Sequence, residues 1–125
     1  MHVSILRAKL HQARVTSANL NYVGSISIDS ALLEESGMLP YEKVLIADVE
    51  NAQRFETYII PAPHGSRQIQ LNGAVARLVS LGDRLIIMAF GHMPYPPPAD
   101  FAPRVLVLDE HNNITQRIGE KYTGA

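Results

Sequence analysis

Runs rich in Val, Ile, Leu, Thr and Tyr recur along the chain at strand length, and each is soon cut off by Gly, Pro, Asn or Asp. That punctuation constrains the fold most, because it leaves room for many short strands and little helix. Residues 10–18 carry Val15 and Thr16 and read as a strand; residues 22–29 read as a second. Residues 42–49 and 54–60 read as a hairpin joined through Asn51-Ala52-Gln53. Residues 68–71 form a short strand ending at Asn72-Gly73, and residues 105–108 form another. Residues 84–90 are apolar almost without a break, as in a strand buried on both faces. Helix is confined to two places. In residues 30–37, Asp29 or Ser30 can cap the start and Gly37 can close the end. Residues 74–79 offer one or two further turns. Pro94-Tyr95-Pro96-Pro97-Pro98 reads as a polyproline surface loop, since proline has no N–H for a central ladder. From Asn112 onward the chain reads as a weakly ordered tail. The expected fold is all-β, a small barrel with a few short helices.

Length and charge bound the rest. A chain of 125 residues reads as one domain, with no internal repeat or linker. Its formal charge is -1, with acids and bases interspersed, so it lacks the basic face that nucleic acid requires. Without cysteine there are no disulfides, thiolate ligands or thiol nucleophiles. The histidines, at positions 2, 11, 64, 92 and 111, show no ligand spacing, which argues against a metal site. No stretch is apolar for long enough to span a bilayer, and the first residues lack the apolar core of a signal peptide. The expected address is the cytoplasm.

The residues able to carry chemistry begin with Gly24-Ser25. The pair is by itself a common turn. It also holds what a chain needs to cut itself: a hydroxyl beside a carbonyl that no Cβ shields. Attack of Ser25 Oγ on the Gly24 carbonyl converts the amide to an ester. Loss of the Ser25 α-proton expels the ester, and hydrolysis of the resulting dehydroalanine releases ammonia. The products are chains 1–24 and 25–125, the second capped by a pyruvoyl group. Lys9 and Arg54 are the cations suited to hold carboxylates, Arg54 by a two-pronged contact, although either could be plain surface charge. Tyr58 can act as a general acid in a dry site or simply pack as a strand aromatic. Thr57 can hydrogen-bond a carbonyl; as Tyr58's neighbour on a strand it faces the other side, and both reach one site only near a bulge or a barrel mouth. Asn72-Gly73-Ala74-Val75-Ala76 is either a plain turn or a small-residue approach to backbone N–H groups. His11 is read as structural or as orienting a neighbour, and Asp29 as a helix cap.

Taken together, Lys9-Leu10-His11, Tyr22-Val23-Gly24-Ser25, Ile28-Asp29, Arg54-Phe55-Glu56-Thr57-Tyr58, Gly65-Ser66-Arg67, Asn72-Gly73-Ala74 and Gly82-Asp83 resemble the aspartate 1-decarboxylase family. The resemblance runs to about Met93-Pro94. It implies a double-psi β-barrel, a homotetramer with sites between subunits, and self-cleavage between Gly24 and Ser25. It implies decarboxylation of L-aspartate to β-alanine and CO2 for pantothenate biosynthesis. The cofactor would be the pyruvoyl group from Ser25, forming a Schiff base with substrate, with no metal and no pyridoxal phosphate. Tyr58 would be the proton donor. Lys9, Arg54, Thr57, Gly73, Ala74 and Val75 would bind substrate, while Gly24, Ser25, Thr57 and Asn72 would serve maturation, with or without a helper protein. One departure stands out: the family reads Asn-Gly-Ala-Ala-Ala where this chain has Val75, so the pocket tightens if the Val75 Cβ faces the ligand. The rival readings are a pyruvoyl decarboxylase for another amino acid and a non-enzymatic, DNA-binding β-barrel.

Overall fold

A period of two organises the strands: apolar residues alternate with polar ones, and the apolar set turns inward. The computed structural model describes residues 1–119. In chain order it contains β1 (His2–Arg14), β2 (Ser17–Asn19), β3 (Ser25–Asp29), α1 (Ser30–Ser36), β4 (Lys43–Asp48), β5 (Arg54–Ala62), β6 (Ile69–Asn72), a 3-10 helix (Gly73–Leu78), β7 (Arg84–Pro94), β8 (Arg104–Leu108) and β9 (Ile114–Ile118). Among the described residues no helix is long and apolar enough to cross a membrane.

The strands form one sheet in the order β2-β6-β3-β5-β4-β7-β1-β8-β9. β2 follows β1 after only Val15 and Thr16, so the order returns to its start and the sheet closes into a ring. The seam is held by Val15 N donating to Asp83 O at 3.0 Å and Thr16 N donating to Ile69 O at 2.9 Å. Thr16 Oγ1 also accepts from Ile69 N at 3.0 Å. Leu10, Ile26, Ile28, Ile46, Ile59, Ile69, Leu71, Leu85 and Ile87 fill the interior, each fully buried. β8 and β9 extend the sheet beyond β1. The expected small β-barrel with few helices is borne out.

α1 begins where the sequence allows. Asp29 Oδ1 accepts from Ala31 N at 2.8 Å, and Gly37, at φ +78°, closes the last turn by donating to Leu33 O at 2.8 Å. Asp29 does more than cap. Fully buried, it also accepts from Gly65 N at 2.8 Å and Arg67 N at 2.7 Å, tying the loop after β5 to the end of β3. Burial pulls its carboxyl upward, yet the three N–H groups and Arg67 outweigh that and hold it below the usual range.

The β4–β5 hairpin forms as expected, antiparallel from Lys43↔Tyr58 to Ala47↔Arg54. Other expectations are corrected. The first strand starts at His2, eight residues early, because β7 and β8 pair with it on both sides. β3 starts only at Ser25, since Leu20 to Gly24 turn out of the sheet. β7 is buried on one face alone: Leu85, Ile87 and Ala89 are inside, whereas Ile86 and Met88 are half-covered and Phe90 is 42% exposed. Pro94 still belongs to β7, opposite His2 at its end. The expected tail holds β9, and Asn112 is fully buried, its Nδ2 donating to Arg14 O and Arg67 O at 3.0 Å each. Residues 120–125 of that tail lie outside the described residues.

Candidate active site

Ser25 is the first residue of β3, 1% exposed, with φ at +107°. A side chain in that region is strained, and such strain persists only where surrounding structure imposes it. Register shows what does so. Ser25 pairs with Asn72 of β6 on one side. On the other, the parallel pairing Ile26↔Ile59 sets Ser25 alongside Tyr58 of β5. Asn72 Nδ2 donates to Ser25 Oγ at 3.0 Å, and a Cβ placed on Gly24 would lie 3.9 Å from Tyr58 Oη. Gly73, at φ +70°, backs onto the same loop: a Cβ there would meet Gly24 Cα at 2.9 Å, so only glycine lets the two backbones approach.

Ser25, Gly24, Asn72, Gly73 and Tyr58 are therefore gathered in one chain. Thr57 and Tyr58 point to opposite faces of β5, yet both line a cleft of about 400 Å³ with Lys43 and Glu56. Val75 is half-covered and packs against the core, leaving Ala74 exposed beside it.

Lys9 and Arg54 stand elsewhere. Arg54 shares the outer face of β5 with Tyr58 but lies four residues away, roughly 13 Å along the strand. Lys9 is on the outer face of β1. Its ladder neighbours are Met88, then Leu45, then Glu56, which places it three strands from β5, roughly 14 Å. Among the described residues neither cation forms an ion pair with an acid. His11, two residues from Lys9, is half-buried with Nδ1 unpartnered; burial and then Lys9 push its pKa down. It offers a neutral ring rather than a charge.

Sequence reasoning missed four residues that lie against these site residues. Ser27 Oγ also accepts from Asn72 Nδ2, at 3.0 Å. Gln70 Nε2 donates to Asn72 Oδ1 at 2.6 Å. Lys43 pairs with Glu56 at 2.8 Å beside Tyr58, although both are well exposed and the pair is worth little. The only signal for Ser27 and Gln70 was their two-residue spacing from Ser25 and Asn72, which puts each pair on one face of its strand.

The fold and this geometry define a class: a closed β-barrel holding a strained, buried serine after a glycine, oriented by an amide from the next strand. An aspartate decarboxylase family model matches residues 1–115. The aspartate 1-decarboxylase of Chlorobium chlorochromatii is 50% identical over 123 residues, covering 97% of this chain and 95% of that one. That of Thermosipho africanus is 53% identical over 116 residues, 93% of this chain and 95% of that one. The Carboxydothermus hydrogenoformans protein of the same name is 49% identical over 121 residues, 97% and 94% of the two chains. The chain belongs to the aspartate decarboxylase family.

Proposed function

We propose that this chain decarboxylates L-aspartate to β-alanine and CO2, supplying pantothenate biosynthesis in the cytoplasm, after cutting itself between Gly24 and Ser25. One observation carries the self-cleavage: Ser25, 1% exposed and held at φ +107°, follows a glycine and receives the Asn72 amide on its Oγ at 3.0 Å. Ser25 Oγ bonds to the Gly24 carbonyl carbon, the C–N bond breaks, and the proton passes to the Ser25 nitrogen. An N–H donor on Oγ favours the charge that builds there as its proton leaves. Relief of the strained φ favours the forward direction. Elimination and hydrolysis then leave chains 1–24 and 25–125.

The residues present fit a pyruvoyl group. Ser25 supplies its atoms, and the approach of Gly73 to Gly24 leaves no Cβ in its way. When present, that group supplies a ketone to condense with the substrate amine and withdraw the electron pair left by CO2. Tyr58, with Oη beside Gly24, is the proton donor to Cα. Arg54 and Lys9 hold the substrate carboxylates, Arg54 by its planar fork. Thr57 and the Gly73-Ala74-Val75 backbone line the bound substrate, and Thr57 and Asn72 also serve maturation.

The separation of Lys9 and Arg54 from Ser25 supports a site completed by a second copy within a homotetramer. So does the outer face of β4 and β7, where Leu45, Ala47, Ile86, Met88 and Phe90 form an apolar row beside Lys9 and His11. A panel of amino acids, with amine product and CO2 measured, tests the substrate. Turnover of aspartate alone is expected; turnover of another amino acid in its place would overturn the assignment.

A further inference from the structure

We infer that Gln70 is a positioning residue for cleavage at Gly24–Ser25: it decides that Asn72 presents a donor, not an acceptor, to Ser25 Oγ. The inference rests on the self-cleavage reading above and adds to it a residue whose contact with Ser25 is indirect.

The hydrogen bonds run in one direction. Ser17 Oγ donates to Gln70 Oε1 at 2.8 Å, and Gln68 Nε2 donates to the same oxygen at 3.2 Å. With its oxygen engaged, Gln70 turns Nε2 toward Asn72 Oδ1, 2.6 Å away. With that oxygen engaged in turn, both Asn72 N–H bonds go to serine hydroxyls, Ser25 and Ser27, at 3.0 Å each. Strand pairing builds the row: Ser17↔Gln70 joins β2 to β6, and Ser25↔Asn72 and Ser27↔Gln70 join β6 to β3. Asn72 is 0%, Ser25 1% and Ser27 8% exposed, so water cannot stand in for a missing partner.

Asn72 has two ways to sit, differing by a half-turn of its carboxamide. In the arrangement present, an N–H meets the oxygen that must carry negative charge as its proton leaves. Turned over, Asn72 would place a carbonyl lone pair there, oppose that charge and trap the hydroxyl proton. Nothing in the serines selects between the two, because a hydroxyl both donates and accepts. The amide of Gln70 does select. A chain of aligned donors also polarises successive bonds in the same sense.

Gln70→Glu inverts the selection with little change of shape. A carboxylate accepts from Ser17, Gln68 and Asn72 alike, so the Asn72 oxygen turns to the serines. Cleavage of freshly purified precursor, followed by denatured mass, is expected to slow roughly tenfold or more at pH 8, the scale of one misdirected hydrogen bond at a charged atom. As pH falls toward the carboxyl pKa, the protonated acid donates again and the rate recovers. Among the described residues Gln70 bonds only Ser17, Gln68 and Asn72, none of which titrates. The wild type should therefore show no matching recovery, and Gln70→Ala should be slow at every pH. Wild-type cleavage by Gln70→Glu, or slow cleavage without acid recovery, would overturn the inference. If that variant folds poorly, Gln68→Glu reads the row from further out, because a carboxylate there draws the Gln70 N–H away from Asn72: several-fold slower cleavage supports the inference, and an unchanged rate overturns it. A wild-type chain that stays whole would overturn the self-cleavage reading as well, which separates the two failures.

Discussion

The strip Ser25–Ser27–Gln70–Asn72 and the outer face carrying Lys9, Arg54 and Tyr58 are built in opposite ways. The strip, with Ser25, Ser27 and Asn72 buried and Gln70 half-buried, is satisfied within a single chain, each amide oriented by the next. On the outer face the two cations are unpaired among the described residues; Arg54 stands roughly 13 Å from Tyr58 along β5, and Lys9 lies three strands from β5, roughly 14 Å. Chemistry that a chain performs on itself can be preorganised by the same closure that makes the barrel. Groups that must seize a free dicarboxylate have to stay open, and one chain leaves them apart. On the function proposed above, maturation is a property of the fold, whereas turnover requires surface that the fold only presents.

Substitutions can break this comparison. The largest effect is expected from Ser25→Ala, which should abolish both cleavage and aspartate turnover; turnover by this variant would mean the strip is not the source of the chemistry. Tyr58→Phe should separate the regions: cleavage proceeds, while kcat per processed chain falls by about 10²–10⁴-fold. A kcat near wild type would remove Tyr58 as proton donor. Arg54→Lys keeps the charge and loses the fork, so cleavage and kcat should hold while the KM for aspartate rises by about tenfold. An unchanged KM would assign the anchor to another group.

The smallest effect comes from a site outside both regions. Burial, and then the neighbouring Asp83 carboxyl, raises Asp48 to about 6. It is 1% exposed, and its Oδ2 meets no donor. An unfolded aspartate titrates near 4, so between about pH 4 and 6 the folded chain holds a proton the unfolded chain has lost. Stability therefore falls as pH rises through that window and stays lower above it. Asp48→Asn should be about 1–2 kcal/mol more stable than wild type at pH 8, equal to it near pH 4, and unchanged in cleavage and kcat. Equal melting at both pH values would show that Asp48 ionises freely in the fold.

What could be read from sequence was local. The caps of α1 depend on Asp29 and Gly37, residues whose backbone preferences act within one turn. The β4–β5 hairpin depends on two alternating runs and a short turn. Gly24-Ser25, Asn72 and Tyr58 stood out by residue type. The missing parts depend on closure. β1 was read eight residues short because β7 and β8, which pair with it, are remote in sequence. Asn112 looked like a tail because its partners, Arg14 and Arg67, are 98 and 45 residues away. Residues 84–90 looked buried on both faces because a strand with an apolar, half-covered outer face and a doubly buried strand have the same composition. Gln70 and Ser27 carried no mark of their own; their role exists only once β2, β6 and β3 lie side by side.

The denatured intact mass of the purified protein tests the central claim most directly. The account predicts two species, residues 1–24 and residues 25–125, the larger one ammonia lighter than a chain beginning with serine. A single full-length mass that persists after prolonged warming, both alone and with cell extract added to supply any helper, would contradict it.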